Sequence, residues 1–383
     1  MSTDWNNYHN INVEPRSDLE LLKSEVGRRF PFYDMKYDIN TVAFFCRIDE
    51  DTLDEKFDSL RLSLSEKGYI PMLRYIKGEH IIYVIKKPKK KGKPVWVNIS
   101  LLIMVFITTT LTGSLLYLDN SSIFTDELTL ISNIAEVFFL ENLFYGFILF
   151  ALPLMSILFI HEMGHYYISK KHGIATSLPF FIPIPPIIPS FNIGTFGALI
   201  SSRDPMPNKK ALFDVGIAGP LAGFVVAVPV TIIGIINSQP APITEPVAGE
   251  VVLGGSILFT FLSTSILNIS AGTSIDLSLI AFAGWVGLLI TSINLLPAGQ
   301  LDGGHIFRAF LGEKQKWAGW IAVFIMVFTG WFFFAIIIMF MMGMQHPPPL
   351  NDATPLDIRR KLLFFVALII LIICYIPYPI YIT

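Results

Sequence analysis

The chain has 383 residues, 53% of them hydrophobic and only 15% charged. Its mean hydropathy of +0.59 lies well beyond that of an ordinary soluble domain. The net charge of −2 says little about partners because the charges are so unevenly placed. The two cysteines, Cys46 and Cys374, lie far apart, which excludes a disulfide framework or a thiolate metal cluster, and the polar N-terminus carries no signal-peptide pattern.

Residues 1–90 read as a small soluble α+β domain. Amphipathic helices are expected over 17–28 and 51–66, with Asp51 and Thr52 as N-cap candidates for the second. The Val-, Ile-, Phe- and Tyr-rich stretches 38–48 and 72–86 read as strands. No catalytic constellation is visible here, and His80 reads as a surface or packing residue. The lysine-rich run 86–93 directly precedes an apolar span, which favours a cytoplasmic juxtamembrane anchor over a nucleic-acid patch.

Six apolar spans follow, over 95–118, 143–168, 211–236, 277–298, 317–343 and 362–382; a helix needs about 20 apolar residues to cross a bilayer. Lys and Arg set the orientation. The run 86–93 lies inside, 119–136 lacks both residues and lies outside, and Lys170, Lys171, Arg203, Lys209 and Lys210 are inside again. Residues 237–250 are outside, and Arg308, Lys314 and Lys316 return inside. Arg359, Arg360 and Lys361 break the alternation, because six spans would put them outside. The apolar stretch 251–269 has both flanks outside, so it reads as interfacial or re-entrant. Residues 179–190 carry Pro179, Pro183, Pro185, Pro186 and Pro189, which forbids a regular helix; such backbone at depth must line a wet cavity or be covered by protein.

The segment His161-Glu162-Met163-Gly164-His165 closes an uncharged apolar stretch. A His-Glu-x-x-His pair on a helix is a zinc-protease signature. Histidines four apart lie on one helix face, one turn from each other, and can share one metal ion. Glu162 adjoins the first histidine and can approach water held there. Ionisable residues at bilayer depth are costly and read as functional; a chance pair of core histidines would leave Glu162 as an unpaired carboxylate in lipid. Catalytic zinc sites use three protein ligands, and the search for the third leads to residues 294–305. Asp302 closes an apolar span beside Gly303 and Gly304, while Pro297 breaks the helix and frees backbone groups. Asp302 also reads as the N-cap of a helix starting near Gly303, and His305 is a rival third ligand.

These two motifs, His161-Glu162-x-x-His165 and Asn294-x-x-Pro297-x-x-x-Leu301-Asp302-Gly303, resemble the site-2 protease family of intramembrane zinc metalloproteases. Residues 194–200 and 210–223 look similar to the chloroplast and prokaryotic members that carry an N-terminal soluble domain. The resemblance covers about 143–311; no PDZ domain or nucleotide-sensing repeat is visible. It implies a polytopic α-helical membrane protein, with a three-span metalloprotease core within about six transmembrane helices and a small α+β domain. The divisions expected are a soluble domain over 1–90, a first span over 95–118, the core over 143–313 and C-terminal spans over 317–383. The resemblance further implies zinc held by His161, His165 and Asp302, with Glu162 as general base. It implies Asn294 as a polar group near the substrate carbonyl or oxyanion; Asn294 alone would read as a helix–helix hydrogen-bonding residue. The activity implied is hydrolysis of peptide bonds in transmembrane segments, as in regulated intramembrane proteolysis. The alternatives are a catalytically silent client-binding protein or a transporter.

Expected partners are transmembrane substrates and the lipid bilayer, with no nucleic acid; homo-oligomerisation stays open. The expected location is the plasma membrane of a prokaryote, with the N-terminal domain cytoplasmic. A substrate helix must unwind to be cut. Residues 190–201, with Gly194 and Gly197, read either as a strand edge to receive it or as a structural loop over the metal.

Overall fold

The computed structural model describes residues 17–38, 40–88, 93–118, 135–185, 193–202, 204–241, 251–270, 273–342 and 346–382. The expectations that rest on residues 89–92, 119–134, 186–192, 242–250 and 343–345, and on Arg203, lie outside the described residues. The chain forms two compact units. One comprises Met1–Lys91, Asp204–Leu212 and Pro347–Asp357, and the other Gly92–Arg203, Phe213–His346 and Ile358–Thr383.

The first unit holds α1 (Ser17–Gly27), β1 (Phe32–Tyr37), β2 (Thr41–Cys46), α2 (Leu53–Glu66), β3 (Tyr69–Ile76) and β4 (Glu79–Lys86). The strands form an antiparallel sheet in the order β1-β2-β4-β3. Leu53, Phe57, Leu60 and Leu64 recur at helical spacing along α2, so they form one apolar stripe. That stripe packs with Phe44, Leu73, Ile82 and Val84 of the sheet. The stretch 72–86 is not one strand. It belongs to a hairpin turned at Lys77 (φ 52°) and Gly78 (φ 87°). Two successive positive φ values match the twist of paired strands, and Gly78 is the residue that signals it. The Asp51/Thr52 cap is also corrected: the carboxylate of Asp49 accepts from the Asp51 amide at 3.3 Å, whereas Thr52 makes no side-chain cap. His80 packs its ring on Tyr75, at 4.7 Å between centroids.

This unit reaches past residue 90. The Leu73 amide donates to the Leu350 carbonyl, and the Leu350 and Asn351 amides donate to Met206 and Pro207, each at 2.8 Å. Lys210 pairs with Asp54 at 2.6 Å, and the Leu350 side chain enters the core. Two segments that are distant in sequence are thus built into the sheet domain.

The second unit is mainly helical. Three of its helices are long and apolar enough to cross a membrane: α3 (Val95–Leu118), α4 (Leu140–Lys171) and α5 (Lys209–Ile236). Inside α4 a π turn over Phe147–Ala151 precedes Pro153. A wider turn absorbs the clash between a proline ring and the carbonyl four residues back. Between α4 and α5 lies the antiparallel pair β5 (Phe180–Pro183) and β6 (Thr195–Leu199). Residues of α3 hold this pair: Asn98 Nδ2 donates to the Leu178 carbonyl at 2.7 Å, and Thr108 Oγ1 to the Gly194 carbonyl at 2.7 Å. Gly194 is required there, because its φ is +81° and a Cβ would stand 2.6 Å from the Thr109 backbone.

The remaining apolar segments are shorter than expected. Residues 251–269 make β7 (Val251–Leu253) and the 11-residue α6 (Ile257–Leu267), capped by Ser256; at 1.5 Å per residue α6 is too short to cross. The span expected over 277–298 is the 16-residue α7 (Leu279–Asn294), followed after a loop by α8 (Asp302–Leu311). The span expected over 317–343 is not one helix. It is a hairpin of α9 (Gln315–Val327) and α10 (Phe332–Ile337), the latter extended by a π turn to Met342. At the tip, the Gly330 amide donates to Pro377 at 2.9 Å, and the Trp331 indole to Ile376 at 2.7 Å. At the base, Gln315 Oε1 accepts from the His346 amide at 3.2 Å, so both arms start and finish at one end. The last helix, α11 (Ile358–Cys374), has 17 residues. It leads to β8 (Ile380–Ile382), which pairs with β7. Six full-length spans are therefore not present among the described residues; three are.

Candidate metal centre

His161 and His165 stand one turn apart on α4, both buried. Asp302 comes from the other end of the core, as the first residue of α8. Its Oδ2 lies 3.3 Å from His161 Nε2 and 3.2 Å from His165 Nε2, and the two Nε2 atoms are 3.2 Å apart. Among the described residues this is the one group of three metal-ligating side chains. The triangle tests the fit to a metal. Ligands at roughly 2.1 Å on a tetrahedron are about 3.4 Å apart, and two imidazoles with one carboxylate suit zinc with one position left open. His165 is oriented by its far side: Nδ1 lies 2.7 Å from the Val215 carbonyl. A carbonyl only accepts, so Nδ1 carries the proton and the Nε2 lone pair faces the other ligands.

Asp302 is not a helix cap. The N-cap of α8 is Leu301, which makes no side-chain cap bond. The carboxylate instead turns to the histidines, at a helix N-terminus whose dipole favours negative charge. The turn into α8 needs glycine at 303, where a Cβ would stand 2.1 Å from the Leu295 carbonyl oxygen. His305 lies one turn further along α8, outside the cluster, with Nδ1 3.1 Å from the Leu301 carbonyl. Asn294, the last residue of α7, brings Nδ2 to 3.4 Å from His161 Nε2. Glu162 is half-buried beside the cluster, and among the described residues it has no hydrogen-bond partner. A carboxylate in that state can accept a proton from water.

Two contributions were not recognised in the sequence. Gly216, Gly219 and Gly223 recur at three- and four-residue spacing and so share one face of α5. A Cβ on Gly219 would stand 2.0 Å from His165 Nε2, and one on Gly223 3.1 Å from the His161 ring. Gly219 and Gly223 leave the room that the two imidazoles occupy, and Gly216 lets α8 approach, where a Cβ would stand 2.7 Å from His305 Cβ. Asp214, next to Val215, takes His172 at 3.0 Å and Arg360 at 2.7 Å. It ties the end of α4 and the start of α11 to the turn of α5 that orients His165.

Residues 149–336 match the model of peptidase family M50. Among curated proteins, the chain is 28% identical over 253 residues to the probable zinc metalloprotease EGY1, chloroplastic, of Arabidopsis thaliana, covering 62% of this chain and 44% of that protein. It is 30% identical over 242 residues to EGY2 of the same plant, covering 60% and 41%. The EGY1 of Oryza sativa subsp. japonica is 28% identical, with 62% and 42% covered. The chain thus spans less than half the length of these relatives. No solved structure matches it. The relatives are named as chloroplastic, a finding that overturns the expected plasma membrane of a prokaryote. The matched stretch contains all five residues of the cluster and its surroundings, His161, Glu162, His165, Asn294 and Asp302, and on that evidence the chain carries a peptidase family M50 domain.

Proposed function

We propose that the chain is a zinc endopeptidase that hydrolyses peptide bonds within transmembrane segments of other membrane proteins. The observation that carries this reading is the triangle of His161, His165 and Asp302, set at tetrahedral spacing beside the unpartnered carboxylate of Glu162. His161, His165 and Asp302 would hold zinc, which when bound polarises the scissile carbonyl and acidifies a water molecule. Glu162 takes the proton of the attacking water and passes it to the departing amine. The Asn294 amide donates to the carbonyl oxygen as negative charge develops there. The substrate enters as an extended segment added to the edge of β6, whose one strand partner among the described residues is β5. An unwound helix has amides to satisfy at depth, and a strand edge satisfies them.

The orientation follows from the basic residues. Asp204–Leu212 and Pro347–Asp357 belong to the same unit as the sheet domain and share its side of the membrane. The α9–α10 hairpin then enters and leaves on one side, and Arg359, Arg360 and Lys361 fall on the side that carries the other basic residues, in line with the charge rule. The crossings are α3, α4, α5, α7 and α11. The metal centre lies in the half of α4 that ends in Lys170 and Lys171, from which side water reaches it.

The test compares membrane-protein fragments made by the intact chain and by a Glu162→Gln form. The amide cannot take a proton from water, so zinc content and fold should persist while the fragments vanish. Persistent cleavage by Glu162→Gln would remove Glu162 as the base, and a zinc-free wild-type protein would overturn the reading.

A further inference from the structure

The loop between α7 and α8 carries Asn294 at one end and Asp302 at the other. Both must stand within about half an ångström of their working positions for a metal site to bind and act, yet the loop itself has left regular backbone pairing. The α9–α10 hairpin supports it. Leu296 and Leu301 pack on Val323, Met326 and Ile338 of the two arms. Such packing is non-directional and tolerates sliding. The contact made by Gln315 is directional. Gln315, the first residue of α9, is fully buried. Its Nε2 donates to the Pro297 carbonyl at 2.9 Å, and its Oε1 accepts from the His346 amide at 3.2 Å. A single side-chain amide therefore joins the ligand loop, the first arm of the hairpin and the segment that follows the second arm.

We propose that Gln315 is a positioning residue for the metal centre: by latching the base of the hairpin to the Pro297 carbonyl, it sets where Asp302 Oδ2 and the Asn294 amide stand. A polar amide buried at this depth is stable only with both of its ends engaged, and here its two ends select two backbone groups that are far apart in sequence. Pro297 is the natural anchor. Its ring cannot donate, the helix has stopped there, and its carbonyl needs a partner from outside the loop. Fixing that carbonyl fixes a point three residues from Asn294 and five from Asp302. The inference rests on the reading of the cluster as a zinc site.

The experiment measures zinc affinity of the full chain in detergent by competition with a chromophoric chelator, alongside thermal unfolding of the metal-free forms. Gln315→Met keeps the volume and removes both hydrogen bonds; Gln315→Glu keeps an acceptor for His346 but loses the donor to Pro297. Both should weaken zinc binding by roughly 10- to 100-fold, the range found when groups that orient metal ligands are removed. Their kcat should fall more than their KM rises, because the defect lies at the reacting centre. A purely structural glutamine would lower the unfolding temperature and leave the zinc affinity of the folded protein alone. If the wild type holds zinc and both variants match it within about twofold, this inference fails by itself. If the wild type holds none, the reading of the centre fails and takes the inference with it.

Discussion

Two buried or half-buried glutamates, one in each unit, stand in opposite surroundings. Glu25, on α1 of the sheet domain, is surrounded by partners. Lys67, Arg29 at 2.8 Å and Ser63 at 2.7 Å all bond its carboxylate. Those bonds, that of Lys67 first, hold its pKa down to about 2, so it stays ionised and serves as a fixed cross-link between α1 and α2. Glu162, in the membrane unit, has no such cage among the described residues and stands beside three metal-ligating side chains. A carboxylate whose lone pairs are spoken for holds structure, whereas one without partners keeps its lone pairs for a proton.

The sharpest test of this contrast pairs Glu162→Gln with Glu25→Gln. The first should cost about 10²- to 10⁴-fold in cleavage rate, the range for a lost general base, with stability unchanged. The second should cost about 2 kcal/mol of stability, as for lost hydrogen bonds to a charged group, with the cleavage rate of the folded protein unchanged. Unfolding curves and single-turnover cleavage on both proteins would break the comparison if the two effects were not separable.

The next effect concerns space. Gly219→Ala sets a methyl where His165 Nε2 faces its co-ligands, and should weaken zinc by about 100-fold or more. Gly223→Ala, with 3.1 Å to spare, should cost much less. Metal titration of both variants reads the difference; equal losses would mean that helix packing rather than the metal pocket is being disturbed.

Proline in the edge strand should act more modestly. Phe196 lies on β6 and is 77% exposed. Phe196→Pro deletes one donor, worth roughly tenfold in cleavage, while zinc stays bound. Normal cleavage by a folded Phe196→Pro protein would remove this edge as the docking site.

The smallest effect is a pH dependence confined to the sheet domain. Glu25 has a folded pKa below its ordinary value of 4.5. Its stabilisation is therefore complete above that value and fades as pH falls toward 2. The protection of the α1 and α2 amides in the full chain, taken relative to the intrinsic exchange rate at each pH, should fall over that window, and the Glu25→Gln protein should lack the response.

Much of the site was legible in the sequence because it is local. Four-residue spacing alone puts His161 and His165 on one face, and the acid between them stands out against apolar neighbours. The apolar runs at 95–118, 143–168 and 211–236 gave the three long helices because length and hydropathy suffice to define them. Other features depend on what lies opposite. Asp302 and His305 share a helix, and only the tertiary placement of α8 decides that the carboxylate reaches the histidines. The glycines of α5 were visible, but their purpose appears only once His165 and His161 face them. The run 317–343 looks like one span because lipid accepts every one of its residues. Its break at Gly330 is set by hydrogen bonds to residues beyond α11, which no local pattern encodes. The sheet domain likewise recruits Asp204–Leu212 and Pro347–Asp357 through backbone bonds, which carry no side-chain signature. The sequence by itself determined periodicity, polarity and the chemistry of the ligands; the tertiary structure decided which faces meet, since contact between distant segments is a property of packing and not of any one segment.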